Sequence, residues 1–363
     1  MAKTEKNDKT ARLVALAEAI NQVDNTTIKP SRKTAKTNET LSLSPSVATQ
    51  ATIKKKEEAV LSITISDLHL GHLGFLPQTY WSTIDNLVKK LETLSRFYQF
   101  VRVNVIFNGD VVSGKEIYET QVFDNAISRG HWQVTLAAEV LYQTITKVKR
   151  TLKIPTRNSS SKDKTVKAED TLQIFIVKGT HEPESENYAI YLSREINAKY
   201  RSRYCILNLG APLGYYPVLF MHGVGSNINF PISTATIRQC QNYLLQNPEK
   251  KCSTVRTAHT HWLSPETELG GGLKIAVGGG FQKCEYKLDQ RPSGLLIDIF
   301  TKNGETSNMT VRPDPNVERD EKEDGLLEFR NYAYYGRTLL NYGRRIIGAV
   351  DSGVLYSLFR DET

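Results

Sequence analysis

The stretch TISDLHLGHLGF, residues 64–75, decides how the fold of this 363-residue chain is interpreted. It ends an apolar run that begins at Ala59, and it places Asp67 and His69 two residues apart, with glycines close behind. The apolar run predicts a buried strand, so an acid and an imidazole stand together at its end. Alone, the pattern fits two interpretations: a turn-capping aspartate beside a core histidine, or a functional site. The residues that follow the other apolar runs distinguish between these two interpretations.

Aspartate and histidine residues follow the later apolar runs as well. These residues are Asp110 in NGD, His181 and Glu182 in GTHE, His222 in MHG, and His259 and His261 in AHTH. Five of the seven histidines of the chain therefore stand at predicted strand ends. In α/β folds the loops at the carboxyl ends of strands converge on one crevice, where ligands bind. The pattern predicts that these side chains meet in a functional site.

Imidazole and carboxylate ligands together suit Mn, Fe, Zn or Ni, whereas calcium and magnesium prefer shells of oxygen alone. Two aspartates and four or five histidines are too many for one ion that keeps open positions. They fit two ions about 3.5–4 Å apart that share one carboxylate, and a bridging hydroxide between such ions serves as the nucleophile in phosphoryl displacement. The sequence therefore predicts two divalent metal ions, with Mn²⁺ as the first expectation and Fe, Zn or Ni as alternatives.

Predicted strands and helices alternate between residues 59 and 246, and three further apolar runs follow between 253 and 300. This order is typical of an α/β sandwich in which helices cover the sheets. Residues 1–58 are polar and basic apart from one short helical period, so we expect a largely disordered N-terminal extension. Residues 301–363 form a C-terminal extension in which DPNVERDEKEDG, residues 314–325, predicts an acidic loop.

The segment LLEFRNYAYYGRTLLNYGRR, residues 326–345, predicts a helix that interleaves tyrosines with arginines. Such a helix can stack bases and neutralise phosphates. The favoured interpretation is that its tyrosines pack on the domain while its arginines stay in water.

The charge and the cysteine content indicate the kind of partner and the cellular compartment to expect. The net charge is +8 and the pI is near 9.1, which suits an anionic partner such as nucleic acid. Residues 1–58 hold eleven Lys and Arg against seven Asp and Glu, so half of the excess lies in the extension. The four cysteines lack C-x-x-C spacing and indicate free thiols in a reducing compartment. Without a long apolar run or a signal peptide, we expect a cytoplasmic protein with no membrane span.

The order of these motifs resembles the signature of the calcineurin-like metallophosphoesterases, which runs D-x-H, GD, GNH[DE], H and GHxH. The matching segments are Asp67-Leu-His69, Gly109-Asp110, Gly179-Thr180-His181-Glu182, His222 and Ala258-His259-Thr260-His261. The resemblance covers roughly residues 60–300 and places the phosphoesterase domain at 59–300. It implies a four-layer α-β-β-α sandwich with helices covering two central sheets.

The resemblance also implies a role for each motif residue. Six would be metal ligands: Asp67, His69 and His261 at the first metal, Asp110 between the two, and His222 and His259 at the second. His181 would stabilise the scissile phosphate and protonate the leaving oxygen. Glu182 would orient His181 through a carboxylate–imidazole hydrogen bond.

Two residues depart from the family pattern. Thr180 replaces the usual Asn, whose carbonyl oxygen is a better metal ligand than a threonine hydroxyl, so the second ion is expected to bind more weakly or to use another ligand. Ala258 replaces a glycine, which is a small change. Neither departure removes a charged ligand or His181, so we expect an active site.

The opening motif DLHLGH most resembles that of the DNA-repair exonuclease branch and of the archaeal replicative polymerase small subunits. With the basic balance, this resemblance favours a nuclease or phosphodiesterase acting on DNA or RNA, with Lys115, Arg129 and Lys178 as candidate phosphate contacts. Ser113 and Gly114 stand where the repair nucleases usually have an acid. The alternatives are a small-molecule phosphatase or phosphodiesterase and a non-catalytic accessory subunit. The sequence does not determine whether the chain binds protein partners or forms a homodimer.

Overall fold

A computed structural model describes seven parts of the chain: residues 56–114, 124–154, 171–181, 187–223, 232, 234–283 and 291–351. The chain divides into two units, Met1–Lys56 and Glu57–Thr363, and every element below belongs to the second. The expectation of a disordered extension over residues 1–58 falls almost wholly outside the described residues. Glu57 and Glu58 already belong to the first strand.

The first sheet has six strands. Its order is β11 (Thr306–Val311), β10 (Leu295–Thr301), β1 (Glu57–Ile65), β2 (Tyr98–Asn108), β3 (Leu172–Val177) and β4 (Lys199–Arg201). The strands β1 to β4 are parallel, whereas β10 and β11 pair antiparallel at one side. The carboxyl ends of β1, β2 and β3 therefore lie along one edge of the sheet.

The second sheet has five strands. Its order is β5 (Tyr204–Asn208), β6 (Pro217–His222), β7 (Thr254–Ala258), β9 (Leu273–Val277) and β8 (Ser264–Leu269). The central strands β6, β7 and β9 are parallel, and β5 and β8 pair antiparallel at the edges.

Six α-helices complete the described part of the chain. They are α1 (Pro77–Phe97), α2 (Gly130–Thr151), α3 (Tyr188–Glu195), α4 (Thr234–Gln246), α5 (Pro315–Glu323) and α6 (Leu327–Asp351). A short 3-10 turn spans Pro248–Lys250. In α1 the buried residues Tyr80, Ile84, Leu87, Leu91 and Leu94 recur every three or four positions, which gives the helix one apolar face. None of the described helices is long and apolar enough to cross a membrane.

The core is divided by the two sheets. On the outer face of the first sheet, Val105 and Phe107 pack in one cluster with Ile84 of α1 and Leu141 of α2. The residue between them, Ile106, points the other way and packs with side chains of the second sheet, because successive residues of a strand face opposite sides.

The outer face of the second sheet is covered as well. Cys240 of α4 packs there with Leu219, Met221 and Val255. The layers are therefore helices, sheet, sheet and helix, and the predicted four-layer α-β-β-α sandwich is confirmed.

The C-terminal region corrects one expectation and confirms another. The acidic segment predicted as a loop contains helix α5, which begins after Asp314 caps it by accepting the Asn316 amide. The favoured interpretation of the Arg/Tyr segment is confirmed for Tyr335, which is 2% exposed and whose hydroxyl donates to the carbonyl of His72. The side chain of Asn331 donates to the carbonyl of Phe75, so α6 fixes the loop after β1.

Candidate metal centre

The two sheets bring the predicted site residues to one edge. Asp67 and His69 follow β1, Asp110 follows β2, and His222 ends β6. Two further strand ends supply the rest of the set: Thr180 and His181 after β3, and His259 and His261 after β7. The side chain of Asn108, at the end of β2, donates to the carbonyl of Arg256 in β7 and so connects the two sheets beside the site.

The first group of side chains consists of Asp67, His69 and His261. One donor atom of each lies within 4.8 Å of the other two. The Nε2 atoms of His69 and His261 are 3.0 Å apart, and Nε2 of His261 lies 3.6 Å from Oδ1 of Asp67. This group can hold a metal ion.

The second group consists of Asp110, His222 and His259, whose donor atoms meet the same 4.8 Å limit. Nε2 of His222 lies 2.8 Å from Oδ2 of Asp110 and 3.7 Å from Oδ1 of Asp67. Asp110 also forms a third group with His69 and His181. Asp110 thus lies close to His69 of the first group as well as to the histidines of its own group.

Five residues of these groups have backbone conformations that side chains other than glycine seldom adopt. Their φ angles are positive: Asp67 49°, His69 46°, Asp110 43°, His259 86° and His261 57°. Such conformations cost of order 1–3 kcal/mol each and concentrate at functional sites. The fold holds these side chains in place at the expense of local backbone stability.

Two backbone carbonyls orient two of the histidines. The carbonyl of Asn108 lies 3.1 Å from Nδ1 of His222, and that of Ser113 lies 2.8 Å from Nδ1 of His181. A carbonyl can only accept, so Nδ1 carries the hydrogen in both rings. Nε2 of each ring is the atom that faces Asp110, at 2.8 Å for His222 and 3.8 Å for His181.

The Asp110 carboxylate is held by three donors from the loop after β3. Oδ1 accepts the amides of Thr180 at 2.6 Å and of His181 at 2.9 Å. Oδ2 accepts the hydroxyl of Thr180 at 2.9 Å. This chain therefore uses the hydroxyl of Thr180 to fix the carboxylate.

The pKa values of the two aspartates are shifted in opposite directions. Burial raises the pKa of Asp67 to about 7, although the nearby charge of His222 opposes this change. Burial alone would also raise the pKa of Asp110, but the charges of His222 and His181 hold it well below its usual value. Burial favours a neutral His222, yet Asp110 and Asp67 raise its pKa to about 9.

The remaining three histidines of the first two groups are shifted toward the neutral form. Burial, reinforced by neighbouring imidazoles, lowers the pKa of His69 well below its ordinary value and that of His259 to about 4. Burial and the charge of Arg291 also lower the pKa of His261 well below its ordinary value. Neutral imidazole is the form that binds metal ions.

These residues fit a divalent transition metal. Nε2 of His222 faces Oδ2 of Asp110 at 2.8 Å but without hydrogen-bond geometry. Buried polar atoms are normally satisfied, so an unsatisfied ring nitrogen within the cluster points to a missing partner. The mixture of imidazole and carboxylate suits Mn, Fe, Zn or Ni.

Of the three candidate phosphate contacts, the structure describes two. Arg129 is exposed just before α2, and Lys178 is half-buried after β3. Lys115 lies outside the described residues, as does Glu182, the residue expected to orient His181. The Ser113 carbonyl contacts the ring of His181 instead.

Two arginines near the site were missed by the sequence analysis. Arg203 donates to the carbonyls of His222 at 3.1 Å and Gly223 at 2.7 Å. Arg291 donates to the carbonyl of Thr260 at 3.2 Å. Both support loops that carry histidines, but neither stands in a motif, so their role depends on tertiary structure alone.

No family model and no curated protein sequence matches this chain. Several solved structures resemble it. A predicted phosphoesterase from Streptococcus pneumoniae is 13% identical, with a TM-score of 0.28, and the match covers 69% of this chain and 98% of the other. An archaeal phosphodiesterase is 12% identical, with a TM-score of 0.33 and coverage of 69% and 99%. Zinc-complexed Vps29 from Entamoeba histolytica is 17% identical, with a TM-score of 0.31 and coverage of 69% and 98%. Similarities at this level assign no function.

Proposed function

We propose that this chain is a metal-dependent phosphoesterase that hydrolyses phosphodiester bonds in DNA or RNA. The observation that carries the proposal is the meeting of two Asp/His groups at one edge of two sheets, with His181 beside them. Imidazole–carboxylate groups that share an aspartate are the donor sets of two-metal sites.

The residues would divide as follows. Asp67, His69 and His261 would hold one divalent ion, His222 and His259 a second, and Asp110 would lie between them. Two such ions supply Lewis-acid stabilisation of the charge on a transferring phosphoryl group. We propose Mn²⁺ as the ion used, with Fe, Zn and Ni as alternatives.

His181 would act on the substrate itself. Its side chain is 18% exposed, whereas that of Asp110 is buried, so His181 lies toward the open side of the site. The Ser113 carbonyl fixes the hydrogen on Nδ1 and thereby sets the orientation of the ring. With Nε2 protonated, His181 could stabilise the phosphate and give its proton to the leaving oxygen.

The preference for nucleic acid rests on charge and on the opening motif. The net charge of +8 favours a polyanionic substrate. The intact ligand set argues against a non-catalytic accessory subunit, because a scaffold needs no cluster of buried histidines with strained backbones.

The test is hydrolysis by protein that has been stripped of metal and resupplied with Mn²⁺. Labelled single-stranded and double-stranded DNA and p-nitrophenyl phosphate would be assayed with wild type, Asp110→Asn and Asp85→Asn. We expect wild type and Asp85→Asn to cleave DNA and Asp110→Asn to lose at least a hundredfold in rate. Hydrolysis of p-nitrophenyl phosphate with intact DNA would replace the nuclease by a small-molecule phosphatase. Inactivity on every substrate would overturn the proposal.

A further inference from the structure

We propose that a groove beside the metal centre binds single-stranded nucleic acid, with a base against Trp132 and phosphates on Arg129 and Arg337. We call it the Arg129 groove. It is lined by Ile127, Arg129, Trp132, Gly336, Leu339 and Leu340. The inference rests on the proposed function and names the substrate class that the same site would act on.

The Arg129 groove has room for a nucleotide. Its cavity has a volume of about 640 Å³. A second cavity of about 510 Å³ shares Arg129 and is lined further along by His131, Tyr188 and Tyr191. Pockets of this size hold drug-sized ligands. The two cavities have Arg129 in common.

Each of the two cavities is lined by an aromatic side chain that is largely exposed to solvent. Trp132 is 46% exposed and Tyr191 is 51% exposed, and each lines one of the two cavities. Leu340 of α6 is 62% exposed on the opposite wall of the first cavity. Exposed aromatic rings stack successive bases in proteins that bind single strands without sequence preference.

Arg129 lines the groove, and Arg337 directly follows Gly336, which also lines it. Arg129, Arg337 and Arg344 are exposed, and none forms an ion pair within the described part of the chain. Other arginines of α6 are paired: Arg345 lies 2.9 Å from Glu139, and Arg330 lies 3.0 Å from Asp324.

The spacing of the unpaired arginines in α6 places them beside the groove. Arg337 precedes Leu340 by three residues, and Arg344 follows it by four, so all three lie on one side of the helix. Unpaired guanidinium groups that flank exposed rings are complementary to the alternating phosphates and bases of a nucleic acid. An acidic residue, Glu195, also lines the second cavity, where its carboxylate accepts from the Tyr342 hydroxyl.

Hydrogen bonds connect residues at the Arg129 groove to the loops that carry the metal centre. The amides of Ala126 and Ile127 donate to the carbonyl of Gly71, two residues after His69. The side chain of Gln133 donates to the carbonyls of Ile127 and Gly114. A strand held at Arg129 would therefore lie next to the site, since Gly114 directly follows the residue that orients His181.

A single strand fits this arrangement better than a duplex. The bases of a duplex are stacked on one another, so they present no open face to Trp132. An acidic peptide would use the arginines but would gain little from stacking. Dependence of binding on both Trp132 and the arginines therefore distinguishes the proposed ligand.

The test is binding by the full-length protein in EDTA, where hydrolysis cannot occur. Fluorescence anisotropy would compare a labelled 12-nucleotide oligothymidylate with a duplex of the same length. The variants are Trp132→Ala and the double variant Arg129→Ala/Arg337→Ala. Matched controls are Phe97→Ala and Arg319→Ala, because Phe97 is 64% exposed and Arg319 is paired with Asp320 elsewhere on the surface. Melting curves would verify that each variant is folded.

We expect Trp132→Ala to weaken binding of the single strand about tenfold, as for the loss of one stacked base. The double arginine variant should lower the slope of log affinity against log salt by about 1.4, since each phosphate contact with a single strand contributes about 0.7. Equal affinity for duplex and single strand, or equal effects of Trp132→Ala and Phe97→Ala, would overturn the proposal. Because binding is measured without metal, a Trp132-dependent complex with no Mn²⁺-dependent cleavage would refute the nuclease and leave the groove standing.

Discussion

Oδ2 of Asp110 lies 2.8 Å from Nε2 of His222, and neither side chain is more than 1% exposed. Burial alone would neutralise both groups, since it raises the pKa of a carboxyl and lowers that of an imidazole. Each group reverses that effect in the other, so the pair is a carboxylate and an imidazolium when no metal is bound. The proton on His222 thus compensates the charge of the aspartates.

This relationship predicts the titration of His222 in EDTA-treated protein. Its imidazole should titrate near pH 9, and Asp110→Asn should bring the pKa below the ordinary value of about 6.5, because burial then acts with less opposition. Since the folded pKa exceeds the unfolded one, the contribution of His222 to stability is complete below pH 6.5 and is lost as the pH rises through 9. Nitrogen-15 NMR of the histidine rings measures both values. An unchanged His222 pKa in Asp110→Asn would contradict the coupling, and Asp85→Asn is the control.

Gly109 should be irreplaceable for a reason that involves His222. Gly109 has a φ of +82°, and a Cβ built on it would overlap Nδ1 of His222. Gly304 has the same φ of +82° with nothing within 4 Å of such a Cβ. Both alanine variants should lose about 1–2 kcal/mol through the left-handed backbone. Gly109→Ala should lose several kcal/mol more and bind Mn²⁺ at least tenfold more weakly.

Urea unfolding and calorimetric titration with Mn²⁺ would make this comparison. Equal stabilities and equal Mn²⁺ affinities of Gly109→Ala and Gly304→Ala would show that the position of His222 does not depend on Gly109.

The positions of the site residues could be predicted because the relevant patterns are local. The apolar run before Asp67 specifies a strand, and the carboxyl-end rule then brings Asp110 and His222 to the same edge. By contrast, the carbonyls of Asn108 and Ser113 that orient two histidines have no signature in the sequence. Every residue has a carbonyl, and only the fold decides which one lies beside a ring.

The missed elements have physical reasons as well. Strand β4 has three residues, and β8 alternates exposed polar residues with half-buried ones, so neither gives an apolar run. The acidic composition of residues 314–325 predicts a loop, whereas the structure has helix α5 there. Its N-cap by Asp314, its proline at the first turn and the ion pair of Glu318 with Lys322 at 2.9 Å favour a helix in spite of that composition.

A buried ion pair connects the two sheets and should be essential for stability. Arg256 of β7 is fully buried, and Asp298 of β10 accepts from its Nε at 3.0 Å and its Nη2 at 2.5 Å. Asp298→Ala removes two acceptors from a buried guanidinium, which typically costs about 3–5 kcal/mol. The control is Asp85→Ala, which breaks an exposed 2.6 Å pair with Lys147 and should cost less than about 1 kcal/mol. Urea unfolding measures both, and similar losses would mean that the sheets do not depend on this pair.

Helix α5 should stabilise α1 by capping it from outside the helix. The N-cap of α1 is Leu76, whose side chain offers no acceptor. Instead, Oε1 and Oε2 of Glu321 accept the amides of Gln78 at 3.0 Å and Thr79 at 2.7 Å, with the Glu321 side chain almost fully buried. Glu321→Ala would remove the acceptor of the buried Thr79 amide and of the part-buried Gln78 amide, and it should cost about 1–3 kcal/mol.

The matched control for this prediction is Glu323→Ala, an exposed residue of the same helix that should change stability by less than about 0.5 kcal/mol. Glu321→Gln keeps one side-chain acceptor and should lie between wild type and Glu321→Ala. Hydrogen exchange at the first turn of α1 would locate the effect, because the amides of Gln78 and Thr79 should lose protection in Glu321→Ala while those in the middle of the helix keep it. Unchanged protection of these two amides would mean that α5 contributes to stability by packing alone and not as a cap.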